Sequence, residues 1–443
     1  MQQSFFGKLF FSACLLQLSV SVTMGQINKF AERVLLHDAV IRTGHVGISI
    51  YEPSTNKYLY NYNADKHFIP ASNTKLFTCY AGMKYFKDSI PGLRYAENDT
   101  VTNIYPTGDP TFLHPDFKDQ RVFSFLKSKQ HINFCSSFYK DYMGDGWSWE
   151  DNLESFMVQR GEFPIYGNLI RVYFKENEFS TLPQRLKVDI EPAIEIANTG
   201  NRYKVFRSWK SNELVLSRDT ALQAPKTYIE VPLVPDVFEV SRFLSDTLQS
   251  PVNFNPDLQH RKHLNDSSLI TVYSHPIDSL LKPMMYNSDN FFAEQLLLMV
   301  GNEKLGYMKD EKIIDDLLIN DFNDIPQQPR WVDGSGLSRY NLFTPQSFVY
   351  IINKLCVDFG TERMKQILPT GGNGTLKNYY LPAKNAIYAK TGSLSNNTAI
   401  SGFLFTNKGK CLIFSILLNN FIGSGASVKH SIEDFLLLIM RKY

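Results

Sequence analysis

The sequence predicts an α+β protein with strands at both ends, helices between them and a large, mostly β insertion. Three observations support this. Near the start, HVGISIYEPSTNKYLYNYNADKHFIP holds two alternating apolar runs around a Pro-Ser-Thr-Asn turn, the pattern of a β-hairpin. At the end, AIYAKTGSLSNNTAISGFLFTNKGKCLIFSILLNN reads strand, turn, strand, turn, strand, with a closing helix from Ala426 to Arg441. Between these, from about Pro91 to Asp266, frequent turn signals separate β-rich runs such as NLIRVYF, KVFRSW, ELVLSR and TYIEVPLV.

In chain order, the first segment has one early cation (Lys8), an apolar run from Leu9 to Val20 and small residues before Gln26. This is the three-part pattern of a secretory signal peptide with cleavage near Gly25, and the run is short for a membrane span. Cys14 follows FSA, a faint lipoprotein pattern, but the apolar run continues past it. After the hairpin, residues 63–68 form a loop, and Pro70 precedes a helix from about Ser72 to Lys87. The insertion reads as two small subdomains with a helix near Asp236 to Gln249. SLLKPMMYNSDNFFAEQLLLMV, from Ser279 to Val300, is helical at both ends; DGSGLSRYNLFTP is a loop, PQSFVYIINKLC a helix and LPTGGNGTL a Gly-rich turn. The expected division is therefore 1–25 signal peptide, 26–93 plus 267–443 catalytic domain, and 94–266 insertion.

Composition narrows the function classes. Lys and Arg number 46 against 44 Asp and Glu, a balance that argues against a nucleic-acid or polybasic membrane surface, since either needs a concentrated cationic face. After removal of the signal the chain keeps Cys79, Cys135, Cys356 and Cys411, widely separated and outside any metal spacing, which reads as buried free thiols. The nine His are scattered without HExxH. A metal or cofactor is not expected, nor a transmembrane anchor.

Three short motifs occur in order: Ser72-Asn73-Thr74-Lys75, Ser288-Asp289-Asn290 and Lys390-Thr391-Gly392. On a helix, residues three apart share a face, so Ser72 and Lys75 can hydrogen-bond. A serine hydroxyl is a poor nucleophile until a base takes its proton. A lysine can serve if burial and a second cation, here Lys390, lower its pKa. Taken singly each motif is cheap, and a lysine snorkelling from a surface helix is the bland reading of SxxK. The ordered set is the signature of serine penicillin-recognising enzymes.

With VDGSGLSRYNLFTP, LPTGGNGTL, TGDPTF and GWSWED around them, these motifs resemble the D-alanyl-D-alanine carboxypeptidase/endopeptidase family of penicillin-binding protein 4 type, peptidase family S13, over essentially the whole mature chain. The resemblance implies a serine β-lactamase/DD-peptidase-like domain, an antiparallel sheet flanked by helices, split by the insertion. It implies an exported, periplasmic enzyme, loosely associated with wall or membrane at most, that needs no cofactor. Its substrates would be peptidoglycan stem peptides and β-lactams its covalent inhibitors; a homodimer is compatible with it.

Residue by residue, it makes Ser72 the nucleophile and Lys75 its base. Ser288 relays a proton to the leaving amine, oriented by Asn290 and Lys390. Lys390 and Thr391 hold the substrate carboxylate, and Gly392 lets the ligand backbone approach. The backbone N–H groups of Ser72 and Ser393 form the oxyanion hole. Arg339 would lie near the carboxylate, or simply stabilise its loop. Asp151 would hold a diaminopimelate amino group beside the aromatic wall of Phe156, or simply cap its turn. Ser395 stands where some relatives carry a longer polar residue. Two rival readings remain: a β-lactamase or esterase on the same fold, although SxN lies 216 positions after SxxK and no ExxxN-type glutamate is found, and a catalytically vestigial wall-binding protein.

Overall fold

The computed structural model describes residues 26–98, 100–175, 178–192, 203–218, 227–254 and 268–443. The signal-peptide segment 1–25, with its cleavage site and Cys14, and the 266/267 boundary lie outside them.

The two ends of the chain build one sheet. The hairpin strands His45–Glu52 and Lys57–Tyr62 join the terminal meander Ile387–Leu394, Asn397–Phe405 and Cys411–Asn419 in a five-stranded antiparallel sheet, with His45–Glu52 paired to Cys411–Asn419. Side chains alternate across its faces, as a pleated strand requires. Ile413 and Leu417 pack with the central helices, whereas Leu412, Phe414, Ile416 and Leu418 pack under the closing helix Gly425–Lys442 and the first turns at Ile27, Ala31 and Leu35. The α+β class expected from the sequence is the one observed.

Two of the central helices are buried around most of their circumference. Lys75–Phe86 buries ten of its twelve residues, and Asn290–Leu305 is buried from Phe291 to Asn302. A helix apolar all round belongs in a protein interior. They cross closely at Gly82, where an added Cβ would lie 2.8 Å from Leu296 Cδ2. A lysine opening the first of these helices is thereby drawn into the core.

The middle of the chain is rich in strands, as expected. Ser89–Glu97 and Ile270–Pro276, which lead into and out of it, pair antiparallel within a second five-stranded sheet. Two three-stranded sheets follow, and the helix Val237–Leu248 falls where the sequence placed it. Leu93, Ile104, Phe134, Ile170 and Phe243 share one further core. Cys79 and Cys135 are buried free thiols; Cys356 and Cys411, near the ends of their elements, are only partly buried. Among the described residues, no helix is long and apolar enough to cross a membrane.

Candidate active site

The turn that carries Ser72 departs from the helix expected there. Ala71–Thr74 is a 3₁₀ turn and the α-helix begins at Lys75. In a 3₁₀ turn residues i and i+3 eclipse, which stacks Ser72 against Lys75 more directly than an α-helix would. Ala71 sits at φ +49°, a left-handed conformation rare for a side chain with Cβ, and Gly336 packs on it so tightly that an added Cβ would lie 1.9 Å from Ala71 O. The side chain of Asn73 ties the same turn to the sheet. With its amide oriented to satisfy both ends, it donates to Lys390 O (2.9 Å) and accepts from Ser401 N (3.3 Å).

Lys75 is fully buried and its Nζ has three close oxygens: Ser72 Oγ at 3.0 Å, Asn290 Oδ1 at 2.6 Å and Ser335 O at 2.8 Å. Two of these, the amide and peptide carbonyls, can only accept. A neutral amine has two N–H bonds and one lone pair, so the two carbonyls take its hydrogens and the lone pair is left for the Ser72 hydroxyl. Burial brings Lys75 down to about 8, against the opposing pull of Asp333, Glu294 and Asp289. Lys390 is also fully buried; burial, and then the charge of Lys75, pull it well below the ordinary lysine range. Its Nζ donates to Ser288 Oγ (2.8 Å) and Thr391 O (2.6 Å).

Ser288 occupies the short break between the helices Ile277–Tyr286 and Asn290–Leu305, at φ +59°. Asp289 accepts from Phe292 N at 2.9 Å and caps the second helix, which fixes Asn290 as its first residue. Asn290 then bridges Lys75 and the backbone of the 94–266 region, where its Nδ2 donates to Phe156 O (2.8 Å). All three motifs therefore converge.

The strand Ile387–Leu394 lies at the edge of its sheet. Pro369 and Thr370 cover part of that edge, through Ala389 N to Pro369 O (3.0 Å) and a bridge from Thr370 to Tyr388. Beyond them, Thr391 and Ser393 line open space, an arrangement suited to an extended peptide adding alongside. Gly392 faces the protein's own backbone: an added Cβ would lie 2.7 Å from Pro70 O and 2.9 Å from Ser72 N. Its missing side chain lets this strand close on the Ser72 turn.

Ser72, Ser288 and Ser393 border two cavities. One, about 400 Å³, also takes in Trp147, Asp151, Phe156, Asn290, Arg339 and Ser395. The other, about 300 Å³, is lined by Thr375, Tyr379, Thr391 and Lys429. Asp151 ends a 3₁₀ turn and, among the described residues, makes no ion pair, so its carboxylate is free for a cation; Phe156 is half-exposed and Arg339 is exposed. Every residue singled out from the sequence thus borders these cavities or touches a group that does.

Several supporting residues were not singled out from the sequence. Asp333, wholly buried, accepts from Gly336 N (2.8 Å), Ser338 N (2.6 Å), Asn341 Nδ2 (2.7 Å) and Trp147 Nε1 (2.9 Å), folding the 332–345 loop around itself. Glu294 accepts from Ser335 N (2.7 Å) and so anchors the residue whose carbonyl holds Lys75. Burial and the nearby Asp333 raise the Glu294 carboxyl to about 7, offset by Arg160. The Arg160 guanidinium, also buried, reaches Glu294 Oε2 (3.3 Å), Asp310 Oδ2 (2.5 Å) and the carbonyls of Asp141 and Met143 (each 3.0 Å).

The family model described as "D-Ala-D-Ala carboxypeptidase 3 (S13) family" matches residues 31–443. A D-alanyl-D-alanine carboxypeptidase of Actinomadura sp. (strain R39) is 23% identical over 466 residues, covering 92% of this chain and 83% of the relative. The D-alanyl-D-alanine carboxypeptidase DacB of Haemophilus influenzae is 23% identical over 429 residues, covering 85% and 86%. Among solved structures, penicillin binding protein 4 (dacB) from Haemophilus influenzae matches with a TM-score of 0.74 at 18% identity, over 94% of this chain and 99% of that one. The likeness extends the α+β reading to the specific fold expected from the motifs.

Proposed function

The chain belongs to the D-Ala-D-Ala carboxypeptidase (S13) family of serine-type peptidases, and from that premise we propose that it is exported and cleaves D-Ala-D-Ala termini or D-amino-acid cross-links of peptidoglycan stem peptides through an acyl-enzyme on Ser72. The observation that carries the mechanism is the position of the Lys75 amine, 3.0 Å from Ser72 Oγ with its hydrogens occupied by two carbonyls. Lys75 accepts the hydroxyl proton as Ser72 Oγ attacks the substrate carbonyl. The N–H groups of Ser72 and Ser393 receive the oxyanion, and each donor of this kind lowers the barrier by roughly 3–4 kcal/mol. Ser288, held by Lys390, relays a proton to the departing amine and is reprotonated with the one Lys75 took up, which leaves Lys75 neutral again. Water then attacks the acyl carbon, giving a proton to Lys75, and Ser72 leaves with that proton returned from the lysine.

Thr391 and Lys390, with Arg339 nearby, hold the substrate carboxylate. β-Lactams, which present the same carboxylate beside a strained amide, acylate Ser72. The accompanying division assigns 26–93 and 267–443 to catalysis and 94–266 to an insertion that supplies Asp151 and Phe156, with 1–25 as the export signal.

Incubation with defined muropeptides, with products identified by mass, tests this reading: loss of a terminal D-alanine or scission of a D-amino-acid cross-link is expected. Unchanged muropeptides, together with failure of a fluorescent penicillin to label the protein, would favour the vestigial wall-binding reading, whereas rapid turnover of penicillin would favour a β-lactamase.

The free carboxylate of Asp151 gives a specific expectation. Asp151→Asn removes the charge that faces a substrate ammonium and keeps the shape. We expect kcat/KM for diaminopimelate-containing peptides to fall about tenfold, the scale of one exposed charge contact worth roughly 1.4 kcal/mol, with simple D-Ala-D-Ala mimics little affected. An equal loss on both would make Asp151 a structural cap.

A further inference from the structure

A cavity larger than either of the two at Ser72 lies elsewhere in the molecule. It is a groove of about 840 Å³ between the segment Lys140–Met143, the turn Trp209–Glu213 and the start of the helix Val237–Leu248. Three features of its wall point to a ligand. Trp209 is 57% exposed, a flat indole in solvent with the Lys210 ammonium 5.8 Å from the ring centre. Gln159 is 3% exposed, and its Oε1 has no partner among the described residues, so the wall carries an unsatisfied, desolvated acceptor. The charges are balanced: five cations face four carboxylates, and Arg185, Lys187 and Arg242 are already engaged by Asp246 (2.9 Å), Glu213 (3.4 Å) and Glu239 (2.7 Å). A groove built for a polyanion would show an excess of unpaired cations. An aromatic platform, a buried acceptor and a nearly neutral rim suit a polyhydroxylated chain with amide N–H groups.

The groove and the catalytic cleft draw part of their walls from one stretch of backbone. Lys140, Asp141, Tyr142, Met143 and Gln159 line the groove, while Trp147, Ser148, Asp151, Phe156 and Met157, from the loop between them, line the cleft beside Ser72. Arg160 pins this loop at the carbonyls of Asp141 and Met143.

We propose that the groove binds the glycan strand of the wall polymer, with alternating N-acetylated pyranoses, one ring stacked on Trp209 and the strand's polar groups along the wall that includes Gln159. This rests on the peptidase reading for the identity of the polymer, and it gives the enzyme a hold on the polysaccharide apart from its hold on the peptide. Peptides hanging from the bound strand are thereby concentrated near Ser72.

Two probes carry no D-Ala bond and so test the groove independently of catalysis: a tetramer of N-acetylglucosamine, and glycan strands stripped of their peptides by an amidase. Calorimetric titration and co-sedimentation should show both binding the full-length protein. Trp209→Ala should weaken them about tenfold or more, the loss typical when an aromatic anchor is truncated, and Trp209→Phe should restore most of the affinity. Circular dichroism and thermal melting establish that each variant is folded. Absence of binding by the wild-type protein, or equal binding by wild type and the alanine variant, would overturn the proposal. So would binding that half-molar salt abolishes while the alanine variant is unaffected, since that assigns the groove to an anionic polymer. Failure of penicillin labelling with glycan binding intact would instead overturn the peptidase reading and leave the groove assignment standing.

Discussion

Replacing Ser72 with alanine is expected to abolish covalent labelling by penicillin and to lower peptide hydrolysis on the order of 10⁶-fold, as removal of a nucleophile does in other serine hydrolases. The variant should stay folded. Ser72 is only partly buried, and the contacts that hold its turn come from elsewhere: Asn73 to the sheet, and Gly336 against Ala71. The measurement is mass spectrometry of the intact protein after exposure to a β-lactam, with thermal melting as the check on folding. A penicilloyl adduct on the folded alanine variant would place the nucleophile at another residue.

Lys75→Arg should cost nearly as much for a different reason. The guanidinium keeps the positive charge but has no lone pair at accessible pH, so it cannot take the hydroxyl proton. Loss of a general base is worth up to about 10⁴-fold, and we expect acylation to fall by that order. The wild-type enzyme should also show the lysine in its pH profile. Burial brings Lys75 down to about 8. Below that pH the amine is mostly protonated and its lone pair is occupied, so acylation should rise about tenfold per pH unit and level off above roughly 8. Stopped-flow acylation between pH 6 and 9 measures both effects. Near-normal acylation by a folded arginine variant, or a flat wild-type profile, would remove Lys75 from the role of base.

The catalytic groups were legible in the sequence because their chemistry is local or ordered along the chain. Ser72 and Lys75 are three residues apart, and Ser288 with Asn290 and Lys390 with Thr391 form short words. The hairpin and terminal meander were legible because a half-buried strand alternates and its turns are rich in Gly, Asn and Pro. The start of the Lys75 helix was not, because the left-handed Ala71 holds the preceding turn in a tighter form. Strand Ser89–Glu97 contains Pro91 and Gly92, which read as breakers; its register against Ile270–Pro276 is irregular near Pro91. The helix Asp310–Asn320 did carry a signal, with Ile313, Ile314 and Leu317 buried on one face, but the acidic residues around them masked it. Asp333 binds mostly within its own loop, at Gly336, Ser338 and Asn341, whereas the roles of Glu294 and Arg160 depend on partners far away in sequence, such as Asp310 on Arg160 across 150 positions. No local pattern encodes them.

The buried guanidinium of Arg160 has a practical consequence. It arises in the middle stretch of the chain, yet its two carboxylate partners, Glu294 and Asp310, belong to helices that follow that stretch. Excising the middle stretch to obtain a minimal hydrolase would leave both acids without their shared arginine, a defect that costs about 3–5 kcal/mol for a single broken buried pair. Engineering by modular swapping therefore has to carry the arginine across, or neutralise both acids at the same time.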